Sequence, residues 1–487
     1  MREQEPLTVV EQAERRRVGA VVLVLFAVLA LVASYFFWKY YADTPVDYAD
    51  INDHFKYGSI GSEPANGVPY WIWKVMPDMF PEKLPQRGGR GYENFGLIQE
   101  PGRDTPVGFS VRRVLVDRVG MNCALCHTGT VRDTPQSERR VIAGMPANKF
   151  DLQAYARFLY DCAKDPRFTA DNVLTAISAR AKLGPLDRLA YRLAVYQTRE
   201  VLIEQARRTA FMDSRPDWGP GRVDTFNPYK SLQFNFPMEK DHTIGTVDLP
   251  VIWRQRPREG MQLHWDGNNT SVIERNKSAA LGAGVTPPSI DNERLKRIED
   301  WLWDFPHPAY PYPVDEAKAA RGEPVYQQHC ASCHSFDGAL VGKVTPIEEI
   351  GTDRHRLDSY TYELLSNQNT SYAGYPWRFS HFRKTNGYAN MPLDGVWLRA
   401  PFLHNGSVPT LRDLLEPPEG RPKEFFRGYD VFDQTKVGFV SDVAEERGVK
   451  FFRHDTQLPG NSNAGHTYGV TLSPEEKDAL VEFMKKL

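Results

Sequence analysis

The chain has 487 residues, a formal net charge of −2 and five cysteines. That length accommodates two or three domains with cores of their own. The near-neutral charge argues against nucleic acid as a partner, and five cysteines do not make the disulfide framework of a small secreted domain.

The first element is N-terminal. "ERRR" ends at Arg17, and Val18 to Trp38 then run 21 residues without a charge. At about 1.5 Å per residue this spans the roughly 30 Å apolar layer of a bilayer. Arg15, Arg16 and Arg17 before it favour a cytoplasmic N-terminus, and Tyr35, Trp38, Tyr40 and Tyr41 form an aromatic belt at its far end. The sequence therefore predicts a cytoplasmic segment at 1–17 and a transmembrane anchor at 18–40. Everything after that would lie in the periplasm, beyond a bacterial inner membrane. The competing reading is a cleaved signal peptide, with "LVAS" as a cleavage site.

The Gly-, Pro- and aromatic-rich stretch "PYWIWKVMPDMFPEKLPQRGGRGYENFG" predicts loops and short helices. Farther on, "KFDLQAYARFLYDCAKD" and "LDRLAYRLAVYQTREVLIEQARRTAF" carry apolar residues at helical spacing, with Cys162 as a half-buried thiol without a partner. Residues 213–288 read as loop-rich, and "DNERLKRIEDWLWDF" as a helix closing a first domain, 45–305. A Pro-rich linker follows at 306–314. The second domain, 315–487, opens with a helix running into "HCASCH". It ends in a helix that Ser473 and Glu476 start as a capping box.

Two short stretches carry chemistry: "NCALCH" at 122–127 and "HCASCH" at 329–334. A structural zinc site needs four soft ligands and has no use for the adjacent histidines. A redox dithiol needs one reactive pair near a βαβ unit, which is lacking here. Attachment of c-type haem does need this spacing. Cysteines at i and i+3 can form two thioethers on one face of a turn, while the histidine at i+4 reaches the iron. The sequence therefore predicts two covalent haems. Cys123 and Cys126 would hold the first, with His127 as iron ligand. Cys330 and Cys333 would hold the second, with His334 as iron ligand. The fold class that follows is mainly α: two cytochrome c-like haem domains with large loop insertions, after one transmembrane helix.

With "MPLDGVWLRAPFLHNGSVPTLRDLL" from Met391 to Leu415, the second half resembles bacterial di-haem cytochrome c peroxidases and their relatives. "FKYGSIGSE", "PYWIWKVMPDMFP" and "GMNCALCHTG" look most like the branch of the di-haem rubber oxygenase. The resemblance implies that Trp265 of "HWDG" stands between the haems as an electron relay, with His264 where Phe is usual. A plain core tryptophan is the alternative. It also implies His466 as the sixth ligand of the second iron, and His404 near a haem edge as a hydrogen-bonding residue rather than a ligand. Glu274 and Arg275 stand nearest the position of the peroxidases' acid–base pair, but the later Glu-Met pair is missing, and a surface ion pair explains them equally. Small residues in "NKSAALGAG" replace the oxygenase's Phe over the iron. Neither activity carries over from the resemblance.

Two functions remain open on the sequence. One is a redox enzyme, peroxidase- or oxygenase-like, reacting at the first haem and exchanging electrons through the second. The other is a pure electron-transfer cytochrome with both irons closed by protein ligands. The extra mass around the first motif suits a pocket. His54, His242 and Met145 are the residues that could close the first iron, and Met391 competes with His466 at the second. Expected partners are a redox protein or a quinol-linked donor or acceptor, and a small-molecule oxidant.

Overall fold

The computed structural model describes residues 8–41, 43–85 and 88–487. Residues 1–7 of the expected cytoplasmic segment, and the Tyr40 side chain of the expected aromatic belt, lie outside that description. Helix α1, Val9–Tyr41, is continuous over 33 residues. Its apolar stretch reaches a mean hydropathy of 2.8 with none of it buried against the rest of the chain. Such a helix suits a membrane anchor or a signal sequence.

Beyond α1 the chain builds a four-stranded sheet in the order β1-β3-β4-β2. β1 is Thr44–Pro45, β2 Val68–Pro69, β3 Phe109–Val114 and β4 Val116–Met121. β3 and β4 form a tight antiparallel hairpin, with Phe109 opposite Met121 and Val114 opposite Val116. Around the sheet come α2 (Ile51–Tyr57), α3 (Glu63–Asn66), α4 (Tyr70–Met79), α5 (Leu152–Lys164), α6 (Ala170–Ser178) and α7 (Pro185–Thr209). Aromatic stacking organises this core. The Trp73 and Tyr92 rings lie parallel at 4.2 Å, and Trp73 Nε1 donates to the Tyr155 hydroxyl at 3.0 Å. Cys162 sits in the same core and is fully buried, deeper than the half-buried position its helix pattern suggested.

The segment 213–288, expected to be loop-rich, carries α8 (Asn227–Phe234) and α9 (Val272–Gly282). The sequence concealed α9 because its small residues give a weak apolar stripe. Ser271 nonetheless starts it, accepting from the Glu274 amide at 3.3 Å. α10, Asn292–Asp304, is the expected helix before the linker.

In the second half α11, Glu316–His329, runs into α12, Ala331–His334. α11 crosses the C-terminal helix, Pro474–Met484, where Gly322 lies against the backbone of Ala479. A Cβ there would meet the Ala479 carbonyl oxygen at 1.9 Å. The capping box of Ser473 and Glu476 is present. The expected linker is packed: Tyr312 stacks on Phe432 at 5.7 Å. One core joins Val131, Met145 and Trp253 of the first half to Trp397, Leu398 and Leu480 of the second.

The two motifs are approached differently. A helix leads into Cys330, but the β3–β4 hairpin leads into Cys123. A helix running directly into the motif is therefore a feature of the second half, and the first half reaches its motif from a hairpin. The first motif's turn is a short 3-10 segment, Cys123–Leu125, capped by Asn122, whose Oδ1 accepts from the Ala124 amide at 3.0 Å.

Candidate haem sites

At the first motif the His127 amide bonds back to the Cys123 carbonyl at 3.1 Å. This closes the turn and places both cysteines and the imidazole together. The Nδ1–H of His127 donates to the Pro250 carbonyl at 2.8 Å. A carbonyl only accepts, so Nδ1 carries the proton and Nε2 is left with its lone pair. Burial holds this imidazole down to about 4, so it is neutral near pH 7. Cys123 and Cys126 are free of disulfides.

The second motif repeats this arrangement. The His334 amide bonds to the Cys330 carbonyl at 3.0 Å, and its Nδ1–H donates to the Met391 carbonyl at 2.7 Å. Met391 therefore stands behind the His334 ring. Facing that ring is His466, with ring centres 6.2 Å apart and planes inclined by 39°. Two imidazoles that bind one metal ion from opposite sides, with bonds of about 2 Å, hold their centres about 6 Å apart. The Nδ1 of His466 is buried without a hydrogen-bond partner, and burial beside His334 holds the ring down to about 3. These residues fit a haem iron held between two neutral histidines.

His466 is held in place by backbone contacts. Its φ is +45°, in the left-handed region that costs a non-glycine residue energy. Its amide donates to the Ile350 carbonyl at 2.8 Å. The buried Arg421 guanidinium grips the loop, donating to the carbonyls of Asn463 at 2.6 Å, Gly465 at 2.8 Å and His466 at 3.1 Å. It also reaches the carbonyls of Leu414 and Glu416. Sequence reading missed Arg421. Its partners are backbone oxygens, which leave no motif.

No ring faces His127 among the described residues. His54 is buried, with Nε2 bonded to the Arg294 carbonyl at 3.1 Å. His242 is exposed, and Met145 lies in the core shared with Trp253. The charge that acts on His127 is Arg275. Its guanidinium donates to Asn276 at 3.0 Å, and no carboxylate lies within ion-pair distance of it among the described residues. Burial and the neighbouring Arg258 bring Arg275 down to about 10.

Glu274 turns away from Arg275. It accepts from the amides of Ser380 at 2.8 Å and His381 at 3.0 Å, from His381 Nδ1 at 2.7 Å and from Asn269 at 3.2 Å. Its carboxylate binds one loop firmly and is held below the usual range by His381 and those amides, against the opposing effect of burial. Among the described residues the two neighbours in sequence do not pair with each other, so the surface ion pair is absent.

Trp265 packs beside Ile350, whose carbonyl anchors His466. Its Nε1–H donates to the Asp248 carbonyl at 2.8 Å, and the Asp248 amide donates to the His404 carbonyl at 2.8 Å. His404 is buried, with its ring stacked on Tyr388 at 3.9 Å. One residue before Trp265, His264 donates through Nδ1 to Asn268 at 2.6 Å and feels the charge of Arg275. His264 thus lies within electrostatic reach of Arg275, and Trp265 packs against the cluster that includes Ile350. No group of three or more His, Cys, Asp or Glu residues forms a metal cluster among the described residues, so the two C-x-x-C pairs do not combine into a zinc site.

Residues 387–427 match a family described as RoxA-like, cytochrome c-like. The matched segment is cytochrome c-like. It contains Tyr388, Met391, His404 and Arg421, the shell around the second motif. This supports a place in the cytochrome c family and a covalently bound c-type haem. The chain is 30% identical over 281 residues to an uncharacterised protein, y4iM, of Sinorhizobium fredii (strain NBRC 101917 / NGR234), covering 50% of this chain and 64% of that protein. An alignment of 518 residues with y4iJ, uncharacterised and from the same organism, gives 25% identity over 81% of this chain and 84% of that one. The chain thus spans less than two thirds of the first of these relatives.

Proposed function

We propose that the protein is a membrane-anchored, periplasmic di-haem c-type cytochrome acting as a redox enzyme. In this reading Cys123, Cys126 and His127 hold the first haem, and Cys330, Cys333, His334 and His466 hold the second. The observation that carries it is an asymmetry: an imidazole faces His334 at 6.2 Å, whereas His127 has no such partner among the described residues. When bound, a c-type haem supplies one-electron chemistry, and an iron with a free position can also take oxygen or peroxide.

The chain's own residues then divide the work. His334 and His466 close the second site, which is left to exchange electrons with a redox protein or a quinol-linked partner. Arg275 supplies positive charge on the His127 side, where it can stabilise a developing anion or hold a haem carboxylate. Trp265, packed against the cluster of Ile350, whose carbonyl holds His466, and next in sequence to His264, fits a relay. Glu274 acts as a brace for residues 380–381 rather than as an acid–base group.

The test is ligand binding to the holoprotein. Carbon monoxide added to the reduced protein should perturb one haem of two, and the signal should vanish when Cys123 and Cys126 are replaced by Ala. Trp265→Phe should slow electron exchange between the haems with both retained. Two haems that ignore carbon monoxide and cyanide in every redox state would instead establish a pure electron carrier.

A further inference from the structure

A group of exposed apolar side chains gathers at the foot of α1. On α7, Leu186, Leu189, Leu193 and Tyr196 are 48%, 53%, 62% and 57% exposed. Their spacing of three, four and three residues makes one stripe along the helix. At the tip of the β3–β4 hairpin Leu115 is 42% exposed, and just after β1 Val46 is 44% exposed. Leu115 has a φ of +67°. That conformation suits Gly or Asn and is costly for leucine. Its partial exposure leaves much of the leucine side chain open rather than packed.

These side chains are tied to the end of α1 by specific contacts. Lys39, in its last turn, pairs with Asp187, in the first turn of α7, at 3.3 Å. Asp43 pairs with Arg112 of β3. β1 begins at Thr44, three residues beyond α1, and lies opposite Arg113 of β3, two residues from Leu115. The charge of Asp187 also acts on Arg113. Hairpin tip, β1 and the first half of α7 therefore share the level at which α1 ends.

We propose that Leu115 and the first half of α7 rest on the lipid surface from which α1 emerges, as a second and peripheral membrane contact. A helix with one apolar stripe lies in the headgroup boundary with that stripe inward. Lys182 and Arg188, exposed beside the stripe, complement anionic headgroups. The contact orients the body. β4 runs from the tip to Met121, so its length keeps the Cys123 turn within about 20 Å of the hairpin tip. The inference rests on α1 being retained as an anchor.

The experiment uses the full-length holoprotein in vesicles of phosphatidylethanolamine and phosphatidylglycerol. Leu29→Cys, Leu115→Cys, Leu193→Cys and Leu458→Cys each receive a nitroxide label, Cys162 being buried. Leu29 reports the anchor and Leu458 the second half. Labels at 29, 115 and 193 should be reached by oxygen and shielded several-fold from an aqueous nickel chelate, relative to 458. If 29 is shielded while 115 and 193 are open to the chelate, the surface contact is refuted and the anchor stands. If 29 is open as well, the anchor reading fails with it. Shielding of 193 from both reagents, with dipolar broadening between labels, would mean that a second copy covers the stripe, and would also overturn the proposal.

Discussion

The two C-x-x-C-H turns are alike behind the imidazole and unlike in front of it. In each, Nδ1 is fixed by a backbone carbonyl, from Pro250 at 2.8 Å and from Met391 at 2.7 Å. In front of His334 stands His466, on a loop gripped by Arg421 and forced into a left-handed backbone conformation. In front of His127 stands nothing comparable among the described residues, and the nearest influence is the charge of Arg275. The shared half of the design fixes tautomer and ring orientation. The half that differs decides whether an iron there could exchange a ligand. An arrangement that bends the backbone and buries an arginine to present one histidine is built around that histidine, and only the second region has it.

Removing that histidine should have the largest effect. His466→Ala should make the second region behave like the first, converting its haem from low-spin to a form that binds carbon monoxide. Two carbon monoxide-reactive haems in titration would bear this out; an unchanged second spectrum would return the ligand role to another residue. Arg421→Met comes next. It strips hydrogen bonds from five carbonyls at once. With buried unsatisfied groups costing about 1–3 kcal/mol each and partial relaxation of the loop, it should destabilise the fold by about 3–5 kcal/mol. It should also leave a mixture of spin states at the second site. Denaturant unfolding and low-temperature electron paramagnetic resonance read the two effects separately.

A smaller change tests the first region. Glu274→Gln should cost about 1–2 kcal/mol through its hydrogen bonds to Ser380 and His381. The carboxylate is held below its ordinary value of 4.5, so its stabilising contribution is present above that pH and is lost as pH falls through the lower folded value. Wild type should therefore lose stability below about pH 4.5 more steeply than the Gln variant, as a pH series of thermal melts would register; parallel curves would rule this out. The smallest effect belongs to Cys162→Ala, at about 1 kcal/mol for a small buried side chain. Haem content by pyridine haemochrome should stay at the wild-type value, and a drop would mean that the cysteine outside the motifs takes part in attachment.

Much of this was legible in the residues. The α1 run, the helix into Cys330 and the Ser473 capping box follow from local rules of hydropathy, periodicity and capping. The two C-x-x-C-H motifs stand out in the sequence, because the spacing that haem attachment requires is short and local. What stayed hidden was relational. The hairpin into Cys123 breaks the parallel between the halves through pairings such as Phe109 with Met121 that no short window contains. Arg421 works on backbone oxygens, three of them more than forty residues away, and its sequence neighbourhood carries no motif that marks it. Glu274 and Arg275 stand nearest the peroxidases' acid–base pair in sequence, but the partners each side chain takes, Ser380 and His381 for one and Asn276 for the other, lie in contacts that no short window contains.

The core that joins Val131, Met145 and Trp253 to Trp397, Leu398 and Leu480, with the packed Tyr312 beside it, sets how the molecule comes apart. A chain with two independent haem units would melt in two steps. Here the last helix completes a core begun some three hundred and fifty residues earlier, so the two halves share packed apolar surface where independent units would have a seam. In calorimetry the two halves should melt together rather than in separate steps. A haem attached covalently at either motif would then be felt by both halves through that shared core.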